Sequence, residues 1–151
     1  MFIKYLVIFI LAMLPFIELQ GAFNIALALN LNKYFSLVLM IISNIMIVPI
    51  IYYAIRKLLN WGKDKRYIGR IFSLCILKGE KIGSRIISKI GNIIYLICFI
   101  IIALPIQWVG VWLVSILASI FKLDFRKLYL SIITGVLLLG VLLLIMYEVI
   151  L

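Results

Sequence analysis

Two long apolar runs constrain this chain more than any other feature of its sequence. Residues 34–55 and 128–150 are almost unbroken stretches of apolar side chains, each about as long as the ~20-residue helix that crosses a hydrocarbon core of ~30 Å. The alternating pattern of a membrane β-barrel is missing, so helices are the expected spanning elements. The chain is 68% hydrophobic, against roughly half in soluble domains. We therefore predict an all-α integral membrane protein.

A shorter apolar segment that ends in Leu-Pro precedes each of these runs. Residues 2–14 end before Pro15, and residues 92–104 end before Pro105. Neither segment is long enough to span comfortably, and apolar sequence resumes after each proline. Because a proline inside a helix removes a backbone hydrogen bond, each broken region predicts either a kinked span or a re-entrant helical hairpin whose turn is covered by protein.

The two halves of the chain therefore follow the same order, a broken pair of apolar segments and then a full span. We predict one membrane domain made of two repeats, residues 1–55 and 92–151, joined by a linker of residues 56–91. Each repeat is expected to be a re-entrant helical hairpin followed by a transmembrane helix. The repeats are expected to be inverted relative to each other, an arrangement common in transporters.

The positive charge of the chain is concentrated in the linker, residues 56–91, and the formal net charge is +10. Regions rich in Lys and Arg stay in the cytoplasm and attract anionic lipid headgroups. Ile82, Ile86 and Ile90 recur at helical spacing among the cations, which favours amphipathic helices in the headgroup layer. A packed pair of cytoplasmic helices is the alternative. No nucleic-acid-binding motif accompanies the cations, so we expect the bilayer, and not a polynucleotide, as partner.

A second basic turn indicates the same orientation. If each hairpin returns to the side where it began, Lys122, Arg126 and Lys127 lie in the cytoplasm with the linker. The first hairpin then begins outside, where Lys4 and Lys33 are its cations. We therefore expect a multi-pass protein of a cell membrane with the linker in the cytoplasm.

Glu18 is the residue most indicative of function. It is the one acidic residue within an apolar segment apart from Glu148, which lies near the end of its run and can reach water. A carboxylate at membrane depth costs a few kcal/mol or more, so such residues usually pair or line a pathway. Glu18 is therefore a candidate proton carrier. The alternative is a structural role, in which Glu18 caps a helix, extends its carboxylate to the membrane surface, or bonds to Gln20 or Asn24 as a lock.

Further candidates for the substrate or proton pathway share small or polar side chains near the two breaks. They are Gln20, Gly21, Asn24, Asn44, Gln107, Gly110 and Trp112. Pro15 and Pro105 are the expected helix breaks, and the half-helices that follow them offer free N–H groups to an anion. The alternative roles are interhelical hydrogen bonding for the amides, helix packing for the glycines and interfacial anchoring for the tryptophan.

Metal and enzyme chemistry are not indicated by the sequence. Cys75 and Cys98 stand alone without metal-ligand spacing, and the chain has no His. Hydrolase, kinase, P-loop and zinc motifs are missing. We expect no enzymatic activity, no metal and no cofactor.

The residues around the first break form a recognisable motif. Pro15, Glu18, Leu19, Gly21 and Ala22 match the pattern P-x-x-E-L-R-G-A-I-P. In this motif the chain resembles the small multidrug export protein family of bacteria and archaea.

Later segments resemble further motifs of the same family, namely G-N-x-x-x-x-P, then P-L-P-G-T-G-A-W-T-G and a G-L-D turn. The matching residues are Asn44, Pro49, Pro105, Gly110, Trp112, Leu123 and Asp124. The resemblance covers essentially the whole chain. It implies a polytopic protein of a prokaryotic plasma membrane with an export function, and a fold similar to the re-entrant-loop architecture of the DedA-like membrane proteins.

The chain departs from the family pattern at several positions, four of which bear on the candidate site. Gln20 stands where the family has Arg, Asn24 where it has Pro, and Trp108 and Val109 where it has Gly and Thr. The missing Arg is a cation that could have bound an anionic headgroup or paired with Glu18.

Two functions fit these observations. The first is a small secondary transporter that moves an amphipathic or lipid-like substrate, coupled to protons through Glu18. Because one chain can barely enclose a cavity, a homodimer is expected. The second is a non-transporting membrane module, for lipid scrambling, anchoring or assembly, that acts through its basic cytoplasmic face. Charge reversal at Arg85 and Lys89 separates the two.

Overall fold

The computed structural model describes residues 2–106 and 110–150, and within these ranges the chain is helical with short turns and no strand. Seven helices follow one another: α1 (Phe2–Met13), α2 (Glu18–Ala28), α3 (Lys33–Lys63), α4 (Gly69–Ile90), α5 (Ile93–Ala103), α6 (Val111–Ile120) and α7 (Phe125–Ile150). Two helices, α3 and α7, are long and apolar enough to cross a membrane, and α4 with α5 would form a third span if that pair, bent by 103°, is one broken span. The predicted all-helical membrane class is confirmed.

The first three helices form a hairpin followed by a long helix. The hydroxyl of Tyr5, at the start of α1, accepts a hydrogen bond of 3.3 Å from the backbone N–H of Asn32, just beyond the end of α2. The start of α1 and the end of α2 are therefore neighbours, so the two helices run antiparallel. The Asn32 side chain accepts from the Phe35 N–H at 3.0 Å and caps α3.

The same arrangement recurs from α5 to α7. Tyr95, near the start of α5, accepts a hydrogen bond of 3.1 Å from the backbone N–H of Asp124, beyond the end of α6. The Asp124 carboxylate then accepts from the Arg126 and Lys127 N–H groups, at 2.9 Å and 3.3 Å, and caps α7. The start of α5 and the end of α6 are therefore neighbours, so these two helices also run antiparallel.

The turns after α2 and α6 have matching hydrogen bonds. Leu31 N–H donates to the Ala26 carbonyl at 3.1 Å, and Leu123 N–H donates to the Ala118 carbonyl at 3.0 Å. The residue before each leucine, Asn30 or Lys122, has a left-handed backbone with φ of 53° or 57°. This is the usual way to satisfy the last carbonyls of a helix. The paired positions are equally spaced, so the two halves are structural counterparts across these turns.

Helix α3 is the centre of the packing, since α1, α2, α4, α6 and α7 all contact it. It continues to Lys63, beyond the predicted end of the apolar run at residue 55. Pro49 lies inside it and lacks the N–H that would bond to the Ile45 carbonyl, and the Tyr129 hydroxyl of α7 lies 3.5 Å from that oxygen. Helix α3 is therefore longer than its apolar run, and Pro49 does not end it.

The predicted linker, residues 56–91, contains the end of α3 and one further long helix, α4, which is amphipathic and packs on the protein through glycines. A methyl group added at Gly79 would overlap the Ile120 carbonyl, and one at Gly83 would overlap the Phe121 carbonyl. The cations of α4 are exposed away from this glycine face: Arg70, Lys78, Lys81, Arg85 and Lys89. The predicted amphipathic character is therefore present, with one face on the end of α6 and the charged face outward.

Candidate functional site

The break between α1 and α2 is held by side chains from other helices. The last carbonyls of a helix have no partner within it, and no water replaces that partner in a hydrocarbon core. Here the Ala12 carbonyl accepts from Asn44 Nδ2 at 3.1 Å, and the Met13 carbonyl accepts from Trp112 Nε1 at 2.9 Å. One turn earlier, the Phe9 carbonyl accepts from the Ser43 hydroxyl at 2.6 Å. Because these carbonyls accept hydrogen bonds from side chains, α1 can end among apolar residues without leaving these polar groups unpaired.

Glu18 begins α2 and reaches the second hairpin. Its backbone is left-handed, with φ of 46°, a conformation that usually costs about 1 kcal/mol or more outside glycine. The carboxylate lies directly against Gly110, where an added methyl group would overlap it, and it hydrogen-bonds the backbone N–H of Trp112. The tips of the two hairpins are therefore in contact through Glu18.

The position of Glu18 makes it a cap for the helix of the other half. Gly110 is the N-cap residue of α6 and has no side chain to fill that role. An N-cap side chain normally accepts from the second or third N–H of its helix, and Trp112 is the second residue of α6. The Glu18 carboxylate supplies this acceptor from α2, and the positive ends of both helix dipoles favour its negative charge.

Trp112 joins the two tips through a second contact. Its indole N–H bonds to Met13 at the end of α1, while its backbone N–H bonds to Glu18 at the start of α2. The structure thus brings together three of the predicted residues, Glu18, Gly110 and Trp112. Gln107 falls outside the described residues.

A second group of predicted residues lines a cavity beside this contact. Gln20, Asn24 and Pro105 border a space of about 340 Å³ between α2 and α7. The remaining lining residues are apolar or aromatic: Phe23, Leu27, Leu143, Met146, Tyr147 and Ile150. The rings of Phe23 and Tyr147 meet edge to face at 6.2 Å. The cavity runs along α2 from Gln20 to Leu27 and along α7 from Leu143 to Ile150.

The other predicted residues lie outside both the contact and the cavity lining. Asn44 is buried on α3 and bonds to the Met40 carbonyl as well as to Ala12, a pattern typical of a structural amide. Gly21 faces Ile17 of its own turn. Pro15 lies within the turn between α1 and α2, as the prediction of a break required.

Sequence reasoning missed the contact that closes α6 onto α3. The Ser119 hydroxyl donates to the Tyr52 carbonyl at 2.8 Å, and the Tyr52 hydroxyl donates to the Leu123 carbonyl at 2.7 Å. Ser115, one turn earlier on α6, is fully buried. Two serines at helical spacing are a known signal of close helix approach in membranes, but that signal does not say which helix they meet.

A smaller polar cavity lies next to this contact between α6 and α3. It has a volume of about 170 Å³ and is bordered by Ser119, Arg56, Asn60, Glu80 and Lys122, among others. The Lys122 ammonium forms an ion pair of 3.0 Å with Glu80 of α4. Within residues 2–106 and 110–150, no group of three or more Cys, Asp or Glu side chains is placed to hold a metal ion.

These features define the class of protein. Two apolar helices of spanning length, two hairpins joined at their tips and a basic amphipathic helix at one end describe a helical membrane protein.

Comparison with known families gives the more particular assignment. Residues 18–142 match the model of the family described as "Putative small multi-drug export protein", and the chain belongs to this family of membrane transport and export proteins. The comparisons found no significant match among curated proteins or solved structures.

Proposed function

We propose that this protein is a small secondary exporter in which Glu18 couples proton binding to the movement of an amphipathic or lipid-like substrate. One observation carries the proposal. The Glu18 carboxylate lies at the contact between two half-helices, and Gln20, two residues further along α2, borders a largely apolar cavity that follows this helix. Membrane-embedded acids at broken helices are typical of ion and proton pathways. The expected activity is transport without covalent chemistry, metal or cofactor.

The lining of the cavity sets the class of substrate. Its walls are apolar and aromatic, its polar groups include the amides of Gln20 and Asn24, and no charged side chain lies among the described residues that border it. Sites of this kind bind a largely apolar body and orient it through a few polar contacts. A molecule with an apolar or aromatic body and one polar end fits this description.

The coupling step follows from electrostatics at the tips. An ionised Glu18 is attracted to the N-terminus of α6 and accepts from the Trp112 N–H. A proton on the carboxylate removes the charge, and with it most of this attraction, in surroundings where charges are poorly screened. Protonation would therefore loosen the contact between the hairpins, and deprotonation would restore it.

The movement itself would exchange two packing arrangements. Here α6 is packed on α3 through Ser119 and Tyr52, whereas α2 is separated from α7 by the cavity. In an inverted repeat, the exchange of these arrangements between the halves alternates access from one side to the other. We propose that both hairpins are re-entrant, that the repeats at 1–55 and 92–151 are inverted, and that the linker at 56–91 is cytoplasmic. The DedA-like architecture stays a prediction.

We also propose that the working unit is a homodimer in a prokaryotic plasma membrane. The cavity between α2 and α7 is open along one side, where Met146 and Ile150 are exposed. A second copy related by two-fold symmetry could cover that side, and closed two-fold dimers are the commonest assemblies. The bilayer and anionic headgroups at the basic helix are the other expected partners.

The experiment that tests the proposal is proton-driven transport in proteoliposomes. The probes are ethidium, an aromatic cation, and a fluorescent phosphatidylcholine. The key variant is Glu18→Gln, because the amide oxygen can still accept from the Trp112 N–H while the group no longer titrates. We expect the variant to fold and to lose at least about tenfold of the transport driven by a pH gradient.

The control is Glu148→Gln, which removes the other carboxylate of an apolar run at its exposed end, where it pairs with Lys33. Its transport should match that of the native protein. Gradient-driven transport by Glu18→Gln at the native rate would eliminate the proton-carrier role. Transport of neither probe by the native protein would remove the proposed substrate class.

The non-transporting module remains the second candidate, because Arg85 and Lys89 are exposed on α4. Charge reversal of both residues separates the two functions. A transporter reconstituted in a fixed orientation should keep its rate, whereas a module that acts through its basic face should lose binding to anionic vesicles and its activity together.

A further inference from the structure

The turn between α6 and α7 contains a lysine in an unusual conformation. Lys122 has φ of 57°, and its counterpart after α2 is Asn30, with φ of 53°. Glycine and asparagine are the residues that normally occupy this left-handed position at the end of a helix. A lysine gains nothing from that backbone geometry, so its presence points to a role for its side chain.

Glycines of α4 bring this lysine against a basic helix. Gly79 and Gly83 let the backbone at Ile120 and Phe121 approach so closely that no larger residue would fit. As a result Lys122 is held beside α4, where its ammonium pairs with Glu80 at 3.0 Å. The approach is fixed by backbone contact, while the side chains that meet there stay adjustable.

A groove of about 460 Å³ lies at this junction. Its polar residues are Glu80, Lys81, Ser84 and Lys122, and its apolar residues are Leu77, Ile87 and Phe121. The residues from α4 fall on one continuous face of that helix, beside the glycine face. The groove therefore combines two ammonium groups and a hydroxyl with an apolar wall.

The ion pair between Lys122 and Glu80 is weak enough for Lys122 to bind another anion in place of Glu80. The Lys122 and Glu80 side chains are 60% and 45% exposed, and ion pairs this exposed contribute little to stability. The Ser84 hydroxyl donates to the Lys81 carbonyl at 3.0 Å and can rotate toward another acceptor. Glu80 thus occupies the place that an external anion would take.

We propose that this groove binds the phosphate of an anionic phospholipid headgroup through Lys81, Lys122 and Ser84, with the acyl chains against Leu77, Ile87 and Phe121. Basic pockets between helices at the membrane surface are suited to such headgroups. The apolar wall favours a lipid over free phosphate, because inorganic phosphate would leave that wall uncovered. The proposal does not depend on transport.

The test is a titration of the purified full-length protein in detergent with short-chain phosphatidylglycerol, followed by calorimetry. Lys81→Gln and Lys122→Asn should each weaken binding about five-fold, the ratio expected for about 1 kcal/mol per cation near a membrane surface. The Asn at 122 keeps the backbone conformation, as Asn30 does. Glu80→Gln should tighten binding, because it frees Lys122, and a purely structural ion pair would not have that effect.

The control is Lys78→Gln, an exposed lysine of α4 that does not border the groove. It removes the same charge and should leave binding unchanged. An equal loss with Lys78→Gln would indicate diffuse surface attraction and overturn the site. Equal affinity for short-chain phosphatidylcholine, or competition by millimolar inorganic phosphate as strong as by the lipid, would overturn the anionic lipid as its ligand.

Discussion

The two hairpins share their turns but not their packing. In the first half, α2 packs on α1 and α3, and a cavity lies between it and α7 apart from the contact of Phe23 with Tyr147. In the second half, α6 packs mainly on α3, a helix of the first half of the chain. Two similar segments have therefore settled into opposite arrangements, one open toward the long helix of the other half and one closed.

Side-chain size explains the difference. Counting from the matching turns, Ser115 and Ser119 of α6 correspond to Phe23 and Leu27 of α2. The serines let α6 approach α3 closely and supply a hydrogen bond to the Tyr52 carbonyl. Phe23 and Leu27 are bulky and have no hydrogen bond to offer, so they line a cavity. A transporter that alternates between two states needs such a difference, because equal packing of α2 and α6 would stabilise neither state over the other.

The largest expected effect comes from giving α6 the residue of its counterpart. Ser119→Leu forces a large side chain into a site that is 3% exposed and removes the bond to Tyr52. Overpacking alone typically costs about 1–3 kcal/mol, and the lost hydrogen bond adds about 1 kcal/mol. Denaturant unfolding in detergent would measure the change in the free energy of unfolding.

The reverse exchange, Leu27→Ser, is the matched control. It acts on the open side, next to the cavity, and should cost less than Ser119→Leu. Equal costs for the two variants would mean that the open and closed sides do not differ as described.

Gly110→Ala tests the contact between the hairpin tips and should have the next largest effect. The added methyl group overlaps the Glu18 carboxylate, so we expect a loss of about 1–3 kcal/mol in the free energy of unfolding. In the background of Glu18→Ala the same substitution should cost much less, since the clash is gone. A double-mutant cycle of the unfolding free energies measures this coupling. Additive costs would show that the two residues are not in contact.

Tyr52→Phe should lower the free energy of unfolding moderately, and only through the contact between α3 and the end of α6. It removes the hydroxyl that bonds to the Leu123 carbonyl at 2.7 Å, which is worth about 0.5–1.5 kcal/mol. Tyr53→Phe is the control, because that tyrosine is exposed on the same helix. Thermal unfolding of the two variants side by side gives the comparison. An equally large loss of thermal stability for Tyr53→Phe would show that the effect is not specific to the contact between α6 and α3.

The smallest effect is expected for Lys33→Gln at the far end of the long helices. Lys33 pairs with Glu148 at 3.0 Å, and both side chains are solvent-accessible, so the pair should add little to stability. Its unfolding temperature should shift by less than that of Tyr52→Phe, and added salt should remove the shift. A larger shift would mean that α3 and α7 are held together by charge more than by packing.

Several features were predictable because they depend on local sequence. The apolar runs gave both long helices, and Leu-Pro gave both breaks, since a proline leaves the preceding turn without a hydrogen bond. The Glu18 position was singled out because a carboxylate is costly in an apolar segment. The sequence predicts an end of the apolar run at residue 55, whereas α3 continues to Lys63, because cations mark a membrane surface and do not stop a helix.

The sequence by itself therefore determined the class of protein, the two long apolar helices and the breaks next to Pro15 and Pro105. The tertiary structure decided which helix each half-helix meets: that Glu18 caps α6, that Trp112 holds the end of α1 and that α6 closes on α3. Those pairings join residues far apart in the chain. They depend on which surfaces fit together in three dimensions, and no local pattern of side chains contains that information.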